Sequence, residues 1–198
     1  MANFISIFRM FLAAVVVALL FVTSSSVYWL CFFLTIIVIW FDGLDGYIAR
    51  KFNETSKFGA VLDIIGDRFV ETIYWVAFLA LGWIPLWMPL TVILRGQITD
   101  GLRSVALEEG YTAFGSSTMM QSKIGRFIVA SNFSRGSYAV FKAIAFTLMI
   151  AAHVPFQEYP YKDVVNIIAY ASVYITVFFC VVRGLPVIIE SKRFFKGK

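Results

Sequence analysis

The sequence predicts an all-α integral membrane protein with about six transmembrane helices, and three observations support this fold class. First, 60% of the 198 residues are hydrophobic, whereas a soluble domain is usually about 45–50% apolar. A chain of this length cannot hide so much apolar surface in a soluble fold. Second, long apolar segments recur along the chain. Third, most charged residues fall in the turns between those segments or beside them.

Six apolar segments approach or exceed the roughly 20 residues that span a bilayer. They are Phe8–Val22, Tyr28–Phe41, Phe58–Leu81, Leu86–Leu102, Phe127–Ala152 and Val164–Ile189. We expect the second segment to continue as a helix from Asp42 to Arg50, beyond the hydrocarbon edge. We also expect a short juxtamembrane helix at the N-terminus. No domain boundary is evident, so residues 1–198 are expected to form a single transmembrane domain.

Basic residues are distributed unequally between the two sides that six spans would create. One side receives Arg9, Arg50, Lys51, Lys57, Arg103, Lys123, Arg126, Lys192, Arg193, Lys196 and Lys198. The other side holds a single lysine, Lys162. This asymmetry predicts cytoplasmic termini, and the net charge of +5 suits an anionic lipid surface. We expect the plasma (inner) membrane of a prokaryote, with membrane lipids and not nucleic acid as partners.

Four aspartates occur in two groups around the second and third segments. Asp42, Asp45, Gly46 and Ala49 follow the spacing i, i+3, i+4, i+7, which places them on one face of a helix. The absence of large side chains at Gly46 and Ala49 would let a ligand approach the helix backbone. Arg50, which follows directly, carries a guanidinium suited to phosphate.

The second group lies across a short polar loop. Asp63 and Asp67 are spaced i, i+4, with Gly59 one turn earlier. Because the loop is short, the two helices should be antiparallel neighbours whose carboxylates meet at the cytoplasmic edge of the membrane. Clustered carboxylates repel one another, and hard divalent cations such as magnesium, manganese or calcium would neutralise them. The pattern predicts a metal–diphosphate site, with an ion or proton pathway in a transporter as the alternative.

The complete motif resembles the signature of the CDP-alcohol phosphotransferases without a substitution. It reads Asp42-x2-Asp45-Gly46-x2-Ala49-Arg50-x8-Gly59-x3-Asp63-x3-Asp67, which is far more specific than most short motifs. The sequence "SIFR", which ends at Arg9, is similar to the "TxxR" element of that family. The resemblance implies transfer of a phosphatidyl or related group from a CDP-linked donor, here CDP-diacylglycerol, to a small alcohol with release of CMP. It also implies Mg²⁺ or Mn²⁺, as two ions, and a homodimer.

The resemblance implies a role for each motif residue. The metal ligands would be Asp42, Asp45, Asp63 and Asp67. Asp67 would also be the general base for the acceptor hydroxyl, since a hydroxyl needs a base to attack at neutral pH. The nucleotide and its diphosphate would be bound by Gly46, Ala49, Arg50 and Gly59.

The acceptor alcohol is less narrowly specified. The sequences "LRGQITDGLRSVALEEG" and "SKIGRF" resemble phosphatidylglycerophosphate synthases, which favours glycerol 3-phosphate. The cations for its phosphate would be Arg95, Arg103, Lys123, Arg126 and Arg135. The alternative for Arg103 is a pair with Asp100. The sequence "FGAVLDIIGDR", with Arg68, is closer to phosphatidylinositol synthases, so inositol or inositol phosphate is the second candidate.

Three further residues have open roles. Glu71 lies one turn beyond Asp67 and either extends the site or pairs with Arg68. Lys142 lies within the fifth segment and should face a cavity or a partner, because a charge facing lipid is costly. His153 is the single histidine and is expected at the outer membrane edge as an interface residue, not as a metal ligand.

Overall fold

The computed structural model describes residues 2–51, 57–111, 118–156 and 160–195, without the side chains of residues 2, 45–51, 57 and 60. Six helices of 18 to 30 residues correspond to the six predicted segments. They are α1 (Ala2–Leu19), α2 (Ser25–Lys51), α3 (Lys57–Ala80), α4 (Trp87–Glu108), α6 (Asn132–Ala152) and α7 (Lys162–Ser191). Between α4 and α6 lie the short helix α5 (Lys123–Gly125) and a π-helical turn (Arg126–Ala130).

The helix boundaries differ from the predicted segments in two places. The helix α1 begins at Ala2 and is continuous, so the expected juxtamembrane helix is its first part and not a separate element. Ser131 has an extended backbone, with ψ of 140°, and it divides the predicted fifth segment into the π-helical turn and α6. The expected continuation of the second segment through Asp42 to Arg50 is confirmed, because α2 ends at Lys51.

Three helical stretches of the described residues are long and apolar enough to cross a membrane. They are Ser25–Leu44, Asn132–Ala152 and Lys162–Phe195. The prediction of an all-α membrane protein is confirmed. The helices α3 and α4 carry several charged side chains each, and the crossing of the membrane by α1, α3 and α4 stays a prediction.

Two helices end with the same hydrogen-bonded glycine motif. After α3, Gly82 has a φ of +74°, a backbone conformation that side chains with a Cβ rarely adopt. Its N–H donates to the carbonyl of Leu79, and the N–H of Trp83 donates to the carbonyl of Phe78, both at 2.9 Å. These bonds satisfy carbonyls that the helix end leaves without a partner. Gly110, with a φ of +82°, ends α4 in the same way.

The chain divides into two compact units, and a single domain over residues 1–198 stays a prediction. The first unit contains Met1–Leu86 and Ala143–Tyr170. In it, α1 packs against both α2 and α3, and an aromatic cluster forms the core. The rings of Tyr74 and Phe146 stack with centroids 4.9 Å apart, and the Tyr74 hydroxyl lies 2.8 Å from the hydroxyl of Thr35 in α2.

The second unit contains Trp87–Lys142 and Ala171–Lys198. One buried cluster within it joins residues of α4, α7, the π-helical turn and the segment before α5. Its members are Ala106, Met119, Met120, Val129 and Val187. The hydroxyl of Ser122 accepts a hydrogen bond from the N–H of Gly125 at 2.9 Å and so caps the start of α5.

Candidate functional site

Three of the four predicted acidic residues lie together in the first unit. Asp42 comes from α2, and Asp63 and Asp67 lie one turn apart on α3. One carboxylate oxygen from each residue lies within 4.8 Å of the other two. The side chains of Asp42 and Asp67 are 46% and 49% exposed, so a ligand can reach them. The facing stripes expected from the sequence therefore place these carboxylates at one point.

For most of the other motif residues, the structure gives the position of the backbone and not of the side chain. The side chains of Asp45, Gly46, Ala49 and Arg50 lie outside the described residues, although all four belong to the continuous helix α2. Gly59 lies in the first turn of α3 and is half-buried. Their expected roles stay predictions.

The geometry of the three carboxylates fits a hard divalent cation. Oxygens that bind one magnesium or manganese ion at about 2.1 Å are separated by at most about 4.2 Å, and calcium, at about 2.3–2.6 Å, allows about 4.6–5.2 Å. Oxygens within 4.8 Å of one another therefore lie in the range of one calcium ion and need only a small approach to bind magnesium or manganese. Two ions about 3.5–4 Å apart would also fit a cluster of this size. Carboxylate oxygen is the donor type that these cations prefer. Asp42, Asp63 and Asp67 could therefore contribute to a metal site.

Arg9 links two of these carboxylates, and its role was missed by the sequence analysis. Its guanidinium forms ion pairs with Oδ1 of Asp42 through Nη1 and with Oδ1 of Asp67 through Nη2, the second at 3.0 Å. The residue is only 1% exposed. A signal was present in the sequence, because an arginine inside an apolar helix is expected to pair with a carboxylate. The sequence analysis used Arg9 only for orientation and for family resemblance.

A glycine makes room for this guanidinium. A Cβ on Gly66 would lie 2.9 Å from Nη2 of Arg9 and 3.7 Å from Met10. Gly66 is buried directly before Asp67 on α3. The absence of a side chain at this position is thus what lets α1 place Arg9 beside the acidic residues of α3.

Glu71 is engaged by a neighbouring arginine on α3. Nη1 of Arg68 donates to Oε2 of Glu71 at 3.1 Å, and the Glu71 side chain is 5% exposed. This is the pairing that the sequence analysis gave as one of two alternatives. His153 of the same unit stacks on Trp83 with ring centroids 4.2 Å apart, and its location at the outer membrane edge stays a prediction.

The second unit contains a separate group of cations around Tyr138 of α6. Arg95 of α4 donates to the Tyr138 hydroxyl at 3.3 Å, and its Cζ lies 5.7 Å from the ring centroid. The Lys142 ammonium lies 5.7 Å from the same centroid, and Cζ of Arg183 lies 5.4 Å from it. The Lys142 ammonium therefore faces an aromatic ring of the same chain, as expected for a charge within an apolar segment.

Arg183 of α7 is a second residue that the sequence analysis missed. Its guanidinium donates to the carbonyl of Ser134 at 2.8 Å and to that of Val129 at 3.5 Å. It also lies in the electrostatic field of Arg95, Arg103 and Arg135. This concentration of positive charge is suited to an anionic ligand. The one feature of the sequence that could have indicated this role is the position of Arg183 inside an apolar segment.

The remaining predicted acceptor residues have different surroundings. Arg103 pairs with Asp100 at 3.4 Å, as the alternative interpretation expected. Nε of Arg126 donates to the carbonyl of Met120 at 3.0 Å, and the side chains of Lys123 and Arg126 are exposed. Of the five predicted acceptor residues, three therefore act electrostatically on Arg183: Arg95, Arg103 and Arg135.

Comparison with known proteins gives a family match over nearly the whole chain. The sequence profile of the CDP-alcohol phosphatidyltransferases matches residues 1–182. A CDP-diacylglycerol–glycerol-3-phosphate 3-phosphatidyltransferase of Bacillus subtilis (strain 168) is 26% identical over 145 residues, which are 72% of this chain and 63% of that protein. A protein of the same name from Cereibacter sphaeroides is 35% identical over 106 residues, 51% of this chain and 48% of that protein.

A third relative is named for a different acceptor. A CDP-diacylglycerol–inositol 3-phosphatidyltransferase of Candida albicans is 63% identical over 27 residues, which are 14% of this chain and 12% of that protein. The matched region of this chain spans less than two thirds of the length of each of these three relatives.

Proposed function

Because this chain belongs to the CDP-alcohol phosphatidyltransferase family, we propose that it transfers a phosphatidyl group from CDP-diacylglycerol to a small alcohol. The reaction belongs to phospholipid biosynthesis and releases CMP. The observation that carries the proposal is the cluster of Asp42, Asp63 and Asp67, whose oxygens lie within 4.8 Å of one another. The three carboxylates outnumber the guanidinium of Arg9, which pairs with two of them, so a further cation is favoured there. A divalent cation also binds diphosphate.

The proposed metal ligands are the three clustered aspartates together with Asp45, whose helix α2 also carries Asp42. Mg²⁺ or Mn²⁺, as two ions held by these residues, would neutralise the diphosphate of the donor and the charge that develops on the CMP oxygen. Gly46, Ala49 and Gly59 leave space for the nucleotide, and Arg50 binds the diphosphate through its guanidinium.

Asp67 is the proposed general base. It accepts the proton of the acceptor hydroxyl while the hydroxyl oxygen forms a bond to the phosphorus that carries the diacylglycerol. The bond from that phosphorus to the oxygen of CMP breaks, and CMP departs with the electron pair. An in-line reaction of this type depends mainly on the positioning of the reacting groups.

Glycerol 3-phosphate is the proposed acceptor. The support is the acceptor for which the Bacillus and Cereibacter relatives are named and the group of Arg95, Arg103, Arg135 and Arg183. A phosphate on the acceptor would give these guanidiniums a dianionic ligand, with Lys123 and Arg126 as further predicted contacts. Inositol is the second candidate, favoured by the high identity of the short Candida match.

The proposed location is the inner membrane of a prokaryote, with a cytoplasmic active site. The charge asymmetry of the loops supports this orientation. The acyl chains of the donor would stay in the bilayer while its head group reaches the aspartates. The chain would act as a homodimer, as the family resemblance implies.

The test is release of labelled CMP from CDP-diacylglycerol in the presence of Mg²⁺ or Mn²⁺, with each acceptor supplied singly. We expect release with glycerol 3-phosphate, and a fall of about a hundredfold or more for Asp67→Asn because a general base contributes about that much. Binding of the nucleotide should persist in that variant. Chelation of the metal should abolish release in the unmodified protein.

Asp163→Asn is the matched control, because Asp163 is an exposed aspartate in the first turn of α7, apart from the motif. It should retain normal turnover. Normal turnover of Asp67→Asn would contradict the base assignment. Metal uptake into vesicles, without CMP release from CDP-diacylglycerol with any alcohol as acceptor, would instead favour the transporter alternative.

A further inference from the structure

Arg9 is buried at the contact of three helices and carries its charge there. It lies on α1, and it is paired with Asp42 of α2 and Asp67 of α3. Its Nε is buried and has no hydrogen-bond partner among the described residues. A buried guanidinium is costly without a counter-charge. The negative charges of Asp42 and Asp67 therefore offset the cost of burying the Arg9 guanidinium.

These ion pairs do not use up the binding capacity of the carboxylates. Arg9 contacts Oδ1 of each aspartate, and an ionised carboxylate has two oxygens with about four acceptor positions. Each carboxylate therefore keeps acceptor positions for a second cation, and the side chains of Asp42 and Asp67 are partly exposed. The guanidinium and a divalent ion can thus bind the same pair of carboxylates together.

We propose that Arg9 is a positioning residue for the metal-binding carboxylates. Its planar fork fixes Asp42 and Asp67 at the separation that a divalent cation requires and stays in place when the cation binds. This inference rests on the proposed metal site of the preceding section. Groups behind the ligands of a metal commonly orient them, and their loss typically lowers metal affinity about 10- to 100-fold.

The shape of the side chain matters as much as its charge. Two separate nitrogens, Nη1 and Nη2, reach the two aspartates, whereas a lysine presents one compact ammonium. The buried Gly66 admits the guanidinium, since a Cβ there would lie 2.9 Å from Nη2. Both Arg9 and Gly66 can therefore be altered to disturb the fork without changing any carboxylate.

The experiment measures the affinity of the purified full-length protein for Mn²⁺ by electron paramagnetic resonance, without substrate. We expect Arg9→Gln to weaken Mn²⁺ binding about 10- to 100-fold. Arg9→Lys should restore only part of that loss, because it returns the charge but not the fork. Gly66→Val keeps the arginine and displaces its guanidinium, so it should also weaken binding and serves as the second variant if Arg9→Gln does not fold.

Val16→Ala is the control for packing. Val16 is fully buried on α1, and its truncation should lower the melting temperature without changing the Mn²⁺ affinity. An unchanged or tighter affinity in Arg9→Gln and Gly66→Val would overturn the inference, as would an equal loss in Val16→Ala. Failure of the unmodified protein to bind Mn²⁺ would instead overturn the proposed metal site, so the two failures are distinguishable.

Discussion

His153 shows how the burial of one side chain affects its ionisation. Its ring stacks on Trp83, and Nδ1 lies 2.9 Å from the carbonyl oxygen of Met149. The Tyr170 hydroxyl lies 3.4 Å from Nε2. Burial lowers the pKa of His153 from its ordinary value of 6.5, and the charge of Lys162 acts in the same direction against the Met149 contact. The folded protein therefore favours the neutral ring.

This pKa shift predicts a loss of stability in acid. Because the pKa is lower in the folded state, the unfolded chain binds the proton more readily. The contribution is fully present above the unfolded pKa of about 6.5 and is lost as the pH falls below it. We expect the melting temperature of the unmodified protein to fall more between about pH 7.5 and about pH 5.5 than that of His153→Phe, which keeps an aromatic ring on Trp83. Equal falls in the two proteins would contradict this assignment.

The clustering of the acidic residues could be predicted from the sequence, whereas the choice of Asp42 and Asp67 as the partners of Arg9 could not. The positions of Asp63 and Asp67 follow from helical spacing, and a short loop brings α2 and α3 together. Arg9 lies 58 residues from Asp67, and no local periodicity links the two. Its contact depends on how α1 packs and on the missing side chain of Gly66, which are tertiary features.

At the scale of elements, Glu190 ties the end of α7 to the start of α5. Its carboxylate accepts hydrogen bonds from the N–H groups of Gln121 and Ser122 and from the Ser122 hydroxyl. A Cβ on Gly125 would lie 2.5 Å from Oε1 of Glu190. The serine and glycine of "SKIGRF" thus have a structural role, as a helix cap and as space for this carboxylate.

Removal of the Glu190 charge should loosen this connection. Charge-assisted hydrogen bonds are stronger than neutral ones, so we expect Glu190→Gln to lower the stability by about 1 kcal/mol. A lower melting temperature in detergent would show the change. Glu108→Gln is the matched control, because Glu108 is exposed at the end of α4 and should leave the melting temperature unaltered. No difference between the two variants would count against the connection.

The six long helices were predictable because their apolar segments are long, whereas the break before α6 was not. In the π-helical turn, the carbonyl of Ile128 accepts from the Ser134 hydroxyl, and that of Val129 accepts from Arg183. Side chains from outside the turn, one from α6 and one from α7, thus donate hydrogen bonds to its backbone carbonyls. Hydropathy describes the length of a segment and carries no information about such bonds.

At the scale of the whole molecule, the charge distribution predicts the orientation in the membrane. The positive-inside bias places both termini in the cytoplasm and the turn that contains Phe156 outside. Phe156 is 87% exposed, and Lys192 is an exposed residue near the C-terminus. The native cysteines, Cys31 and Cys180, are both buried, so they should react little with a bulky reagent.

Cysteine labelling tests this orientation. In intact cells, a membrane-impermeant maleimide should label Phe156→Cys and not Lys192→Cys, and permeabilisation should expose the second. The unmodified protein, with its buried cysteines, is the control for background labelling. Labelling of Lys192→Cys alone in intact cells would show the opposite orientation.

The ion pairs of Arg9 also bear on how the chain is made. Arg9, Asp42 and Asp67 all fall within the first 67 residues. The translating ribosome therefore delivers this cation and both of its anions before α4 has been synthesised. An inserting chain can therefore bury the arginine together with its opposite charges, before the C-terminal half has been made.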